Sequence, residues 1–130
     1  MNTKWDSINQ LCDRVRETSF SVHQYHRHGH LEKIYENALR HRLSKQGLEV
    51  VQQQPLTVFD EDGTCIGDYY ADLFVEGRLI VELKAVRETT NDHIAQLLGY
   101  LRSSRIETGL LINFGAPKLF IRKYILTPGD

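Results

Sequence analysis

The chain has 130 residues, 41% of them hydrophobic and 25% charged, enough for one domain with a real core and typical of a soluble globule. Its formal net charge of −1 argues against a protein that grips nucleic acid mainly by bulk electrostatics. No apolar run approaches the roughly 18 residues of a membrane span and no signal peptide opens the chain. Cys12 and Cys65 make neither a disulfide framework nor a zinc ligand set, so a reducing cytoplasm and no membrane contact are expected.

The first expected element is an amphipathic helix over Lys4–Tyr25. Trp5, Ile8, Leu11, Cys12, Val15 and Val22 recur at helical spacing, and Thr18 and Ser19 continue the stripe. The helix, residues 1–25, is expected to pack on the body of a single domain spanning 1–130. Next come His23, His26, His28 and His30, an arrangement that invites a metal hypothesis. The i, i+2 spacing of the last three suits no single helix face, so a polar junction broken at Gly29 is the preferred reading. A second helix is expected from His30 to Gln46, with Leu31, Ile34, Ala38 and Leu43 on its core stripe and Tyr35 and Leu39 beside it. Gly47 supplies the stop. Glu36 and Arg40 form a favourable i, i+4 pair on the exposed side. Glu32 has only the like-charged Glu36 at i+4; it is either a first-turn acid favoured by the helix dipole or an acid with a partner elsewhere.

Leu48–Gln54 and Leu56–Phe59 read as two short strands broken by Pro55. Asp60-Glu61-Asp62-Gly63 is a hairpin turn whose acids are turn formers rather than calcium ligands. Gly67–Lys84 then reads as a hairpin with its turn at Glu76-Gly77. Leu73, Val75, Leu79, Val81 and Leu83 are all apolar and odd-numbered. They share one buried face only if odd pairs with odd, as with a three-residue turn over Val75–Gly77 and a left-handed Gly77. The same register gathers Asp72, Glu82 and Lys84 on the other face. Two carboxylates and an amine on a half-buried face are costly unless paired, and a divalent cation would pair them. The plainer alternative is three exposed residues on an edge hairpin.

After a connection over Ala85–Thr90, Thr90 or Asn91 can cap a helix from Asp92 to about Ser103. Its core stripe is Ile94, Leu97, Leu98 and Leu101. Gln96 and Tyr100 are neighbours on the adjacent face, and Gly99 either admits another backbone or is simply tolerated. Gly109–Phe114 is a buried strand and Lys118–Leu126 the last one. The order helix, helix, four strands, helix, two strands implies an α/β fold, a mixed β-sheet flanked by helices.

Five spaced blocks carry a family resemblance. Gly29-x-x-Glu32-x-x-Tyr35, Ala71-Asp72-Leu73, Ile80-Val81-Glu82-Leu83-Lys84-Ala85, Gln96-Leu97-Leu98-Gly99-Tyr100-Leu101 and Gly109–Gly115 resemble the GxxExxY protein family of the PD-(D/E)XK nuclease superfamily. The resemblance covers roughly Val22 to Leu126. It departs at Arg27 and His30, where the family has a Gly and a large apolar residue, and at Ala71, where the superfamily nominally has Pro. It implies a restriction-endonuclease-like core and a divalent-metal site. Asp72 and Glu82 would be hard oxygen ligands for Mg²⁺, with Mn²⁺ as a substitute. The Leu83 carbonyl and Glu32 would complete the shell. Lys84 would position or help deprotonate the attacking water and balance charge on phosphorus. Gln96 and Tyr100 resemble a Q-x-x-x-Y helix that orients the site or touches substrate, and Tyr35 would join them. The function implied is metal-dependent hydrolysis of phosphodiester bonds in nucleic acid, DNA ahead of RNA. A catalytically weak nucleic-acid-binding or assembly module on the same fold is the alternative, and a histidine-based transition-metal protein a third. A domain this small would need a partner or a second copy, a homo-oligomer, to hold a duplex.

Overall fold

The computed structural model describes residues 7–126; Trp5, expected on the first helix, lies outside them. Helix α1, Ile8–His26, begins at a capping box in which Ser7 accepts the Asn9 amide and Gln10 accepts the Ser7 amide. The expected stripe of Leu11, Cys12, Val15 and Val22 is buried. Thr18 and Ser19 are buried with it because their hydroxyls donate to the carbonyls of Arg14 and Val15 one turn back.

Helix α2, Glu32–Lys45, differs from expectation in phase. Its buried residues are Tyr35, Glu36, Leu39 and Leu43, whereas Leu31 and Ile34, expected in the core, are 78% and 43% exposed. Leu31 is the N-cap and precedes the helix, so its side chain does not share the helical stripe. The expected exposed Glu36–Arg40 pair is also corrected: Glu36 is 2% exposed and holds Lys33, Gln52 and Gln53.

The strands are β1 Val50–Phe59, β2 Cys65–Val75, β3 Leu79–Lys84, β4 Thr108–Asn113 and β5 Phe120–Ile125, with α3, Asn91–Ser104, between β3 and β4. There are three strands before α3, not four. Pro55 does not break β1, because β1 is the edge of the sheet and Pro55 pairs with Tyr70 on its inner side; a proline on an edge strand need not cost a ladder bond. The order is β1-β2-β3-β4-β5. Only β3 and β4 are parallel, joined across α3, so the sheet is mixed.

Three helices flank this sheet. One layer packs α1 and α2 on Leu73, Val75, Leu79, Val81, Leu83, Leu110 and Ile112, so the odd residues of the central hairpin share a buried face as expected. The turn spans Glu76–Arg78, one residue later than anticipated, with positive φ at both Glu76 and Gly77. The other layer packs α3 through Leu97 and Leu101 on Tyr69, Ala71, Ile80 and Leu111. Thr90 caps α3 through a capping box with His93. The close approach of α3 occurs at Gly109, where a Cβ would stand 3.1 Å from Leu97 Cδ1, and not at Gly99, which faces open space. No helix among the described residues is long and apolar enough to cross a membrane.

Candidate active site

The β2–β3 hairpin carries Asp72 and Glu82 directly across from one another, one step beyond the Leu73–Val81 pair. Their carboxylates are interlocked with the opposite backbone. The Asp72 amide donates to Glu82 Oε2 at 3.1 Å and the Leu83 amide donates to Asp72 Oδ2 at 2.8 Å. Both side chains therefore lie on one face with fixed rotamers. Neither bond neutralises a charge.

The electrostatics follow from that. Glu82 is 8% exposed, and burial followed by the Asp72 charge pushes its pKa up to about 7. Burial is also the first cause raising Asp72. Glu32, at the first position of α2, is raised by burial and then by Asp72, with Lys84 opposing. Repulsion among the acids is real, but desolvation is the larger effect at each of the three. Lys84 ends β3 and is a cation felt by all three of Glu32, Asp72 and Glu82, with Lys33 acting on Glu32 as well. Its strand end is held by the end of β4. Its carbonyl accepts the Phe114 amide, and buried Asn113 clamps Val86 by accepting its amide and donating to its carbonyl.

The other expected residues occupy different stations. Tyr35 is fully buried and stacked on Phe114 at 4.8 Å, so it cannot touch a substrate. Its hydroxyl donates to the Arg27 carbonyl and accepts the His30 amide, which pins the turn in front of Glu32. Gln96 is exposed on α3. Tyr100 stacks on Tyr69 with ring centroids 3.5 Å apart. The Tyr69 hydroxyl is buried beside Glu82, and burial, then the Glu82 charge, raises its pKa. Tyr100 thus reaches the acid pair through Tyr69. Of the histidines, His23 bonds the Ala116 carbonyl, and His26 and His30 meet edge to face.

Two participants were not legible as such. Glu36 is a fourth acid, buried behind Asp72 and satisfied by Lys33, Gln52 and Gln53. Gln53 donates from Nε2 both to Glu36 Oε1 at 3.2 Å and to Asp72 Oδ1 at 3.3 Å. The available signal was the run Gln52-Gln53-Gln54 on a strand due to run beside Asp72.

Among the described residues, no three His, Cys, Asp or Glu side chains converge closely enough to enclose an ion by themselves. A two-carboxylate site is nevertheless what a small hard cation uses, since Mg²⁺ keeps several waters and takes one or two carboxylates. The buried, proton-seeking Glu82 beside Asp72 fits such an ion, because a cation would replace the proton that burial favours. A sequence profile described as the PD-(D/E)XK nuclease superfamily matches residues 9–124. Neither the curated proteins nor the solved structures contain a significant match.

Proposed function

The chain belongs to the PD-(D/E)XK nuclease superfamily, and from that premise we propose that it is a Mg²⁺-dependent nuclease that hydrolyses phosphodiester bonds in DNA, within the GxxExxY branch. Asp72, Glu82 and the Leu83 carbonyl would hold the ion, with Glu32 completing the shell from α2 through one of the waters the ion keeps and Mn²⁺ able to substitute. When bound, the cation supplies an acidified water and a counter-charge for the phosphate. Lys84 stands beside the two carboxylates, where its ammonium can hold the attacking water and neutralise charge developing on the phosphate oxygens. Asp72 and Glu82 stay oriented through the Leu83 and Asp72 amides, so the site needs little reorganisation. Gln96 and Tyr100 orient the substrate side of the site, and Tyr35 holds the turn that precedes Glu32. The observation that carries this reading is the interlocked Asp72–Glu82 pair with Lys84 two residues on.

The whole chain acts as one cytoplasmic domain, and a second copy would complete the grip on a duplex. The weak-module alternative draws on the net charge of −1, which offers no general attraction for a polyanion. A cleavage panel separates the two. Linear, circular and single-stranded DNA and RNA are incubated with wild type and Asp72→Ala in Mg²⁺, Mn²⁺ or EDTA. Cleavage of DNA that needs the metal and Asp72 supports the nuclease. Binding without cleavage of any substrate supports the module.

A further inference from the structure

Four non-glycine residues among those described have positive φ: Arg27, Gln53, Glu76 and Arg105. Arg27 and Arg105 cap helices and Glu76 sits in the hairpin turn, places where a left-handed residue ends or reverses an element. Gln53, at φ 53°, lies inside β1, where nothing about chain reversal calls for it. Gln has no local preference for this conformation, and the residue is exposed, so core packing does not impose it. A backbone outlier of this kind is a reason to ask what the strain achieves.

The hydrogen bonds answer. In a regular strand, successive side chains point to opposite faces. Here Gln52 and Gln53 are successive, yet both reach Glu36, at 2.8 and 3.2 Å. The left-handed turn at Gln53 interrupts pairing between the Gln52–Leu73 and Gln54–Ala71 pairs, opposite Asp72. The strands change layers at the same point. Val50, Leu73 and Val75 pack with α1 and α2, whereas Leu56, Val58, Tyr69 and Ala71 pack with α3. The irregularity therefore turns one carboxamide into the acid cluster, where its two N–H groups serve one carboxylate each. Contacts of 3.2 and 3.3 Å are long for charge-assisted bonds.

We propose that Gln53 is a positioning residue for the metal site. It fixes Asp72 Oδ1 against the anchored Glu36, while the Leu83 amide fixes Oδ2, so the free lone pairs of Asp72 point in one direction. A neutral donor suits this place: it orders two anions without cancelling the charge that attracts the cation. The inference rests on the metal-site reading of Asp72 and Glu82 proposed above and adds a residue to it.

Gln53→Gly and Gln53→Ala test it together. Both remove the carboxamide, but only glycine relieves the left-handed backbone. Calorimetric Mg²⁺ titration and thermal melting in EDTA are measured on wild type and both variants. Gln53→Gly should melt several degrees above Gln53→Ala, while both bind Mg²⁺ about 10–100-fold more weakly than wild type, the range seen when an outer-shell partner of a metal ligand is lost. Variants that bind Mg²⁺ within about twofold of a wild type that itself binds it would overturn the role of Gln53 and leave the metal site standing. A wild type that binds no Mg²⁺ would overturn both. Equal melting of the two variants would overturn the claim that the position is strained.

Discussion

Replacing Glu82 by Gln should remove a pH dependence of stability that burial of this carboxyl creates. The rise of the Glu82 pKa from its ordinary 4.5 to about 7, at roughly 1.36 kcal/mol for each tenfold change in acidity, corresponds to about 3 kcal/mol. Because the folded state holds the proton more tightly than the unfolded chain, this stability is fully present below pH 4.5. It is lost as pH rises through about 7. Asp72 and Glu32 move in the same direction, so the difference between wild type and Glu82→Gln, rather than either curve alone, isolates Glu82. Urea unfolding in EDTA between about pH 4 and 8 should show wild type losing about 3 kcal/mol relative to the variant. Millimolar Mg²⁺ should restore stability to wild type chiefly at the upper end of the range, since the ion binds the charged form of the site. Parallel curves for the two proteins across the whole range would refute the reasoning, because they would mean that Glu82 is as well solvated folded as unfolded.

Three further outcomes are expected. Lys84→Ala should fold and keep much of its metal affinity but cleave roughly 10²-fold more slowly, with Lys84→Arg a poor rescue; single-turnover rates and a binding assay on the same protein check this, and an unchanged rate removes Lys84 from the mechanism. Gly115→Ala should be destabilised by roughly 2–4 kcal/mol, since its Cβ would run into the backbone of Ala85 and Val86, where no side chain can swing aside; thermal melting reads it, and a near-wild-type curve would mean the 115–86 approach is looser than described. Leu39→Ala should cost about 2–5 kcal/mol while Leu31→Ala costs under about 0.5; denaturant midpoints that reverse the pair would restore the stripe expected from periodicity.

The acid pair was legible because sheet alternation is a local rule. Five apolar odd positions forced odd-to-odd pairing, which put Asp72 and Glu82 on one face; that they stand across from each other followed from the turn at Glu76–Arg78, one residue later than expected. The α3 cap and the stripe through Leu97 and Leu101 were legible for the same reason. What escaped depends on distant chain. Pro55 breaks a strand unless that strand is an edge, and edge position is a property of the whole sheet. Leu31 and Ile34 are as apolar as Leu39, but Tyr35 finds Phe114 to stack on and Glu36 finds Gln52 and Gln53, so tertiary partners chose the buried face. The left-handed Gln53 has no local sign at all, because Gln is not a residue that marks positive φ. Its signature is a hydrogen-bonding need set by Glu36 and Asp72, visible only once α2 and β2 lie beside β1.

Cleavage of end-labelled duplex DNA followed through a Mg²⁺ titration, with wild type beside Asp72→Asn, tests the metal-nuclease claim most directly. Asn keeps the shape of the side chain and an oxygen for the Leu83 amide, so the fold should survive while the charge that draws the cation is lost. On that claim the wild-type rate should rise with Mg²⁺ and vanish in EDTA, and the Asp72→Asn rate should lie below about a hundredth of it. An Asp72→Asn protein that cleaves at the wild-type rate, or a wild type that cleaves equally well in EDTA, would contradict it.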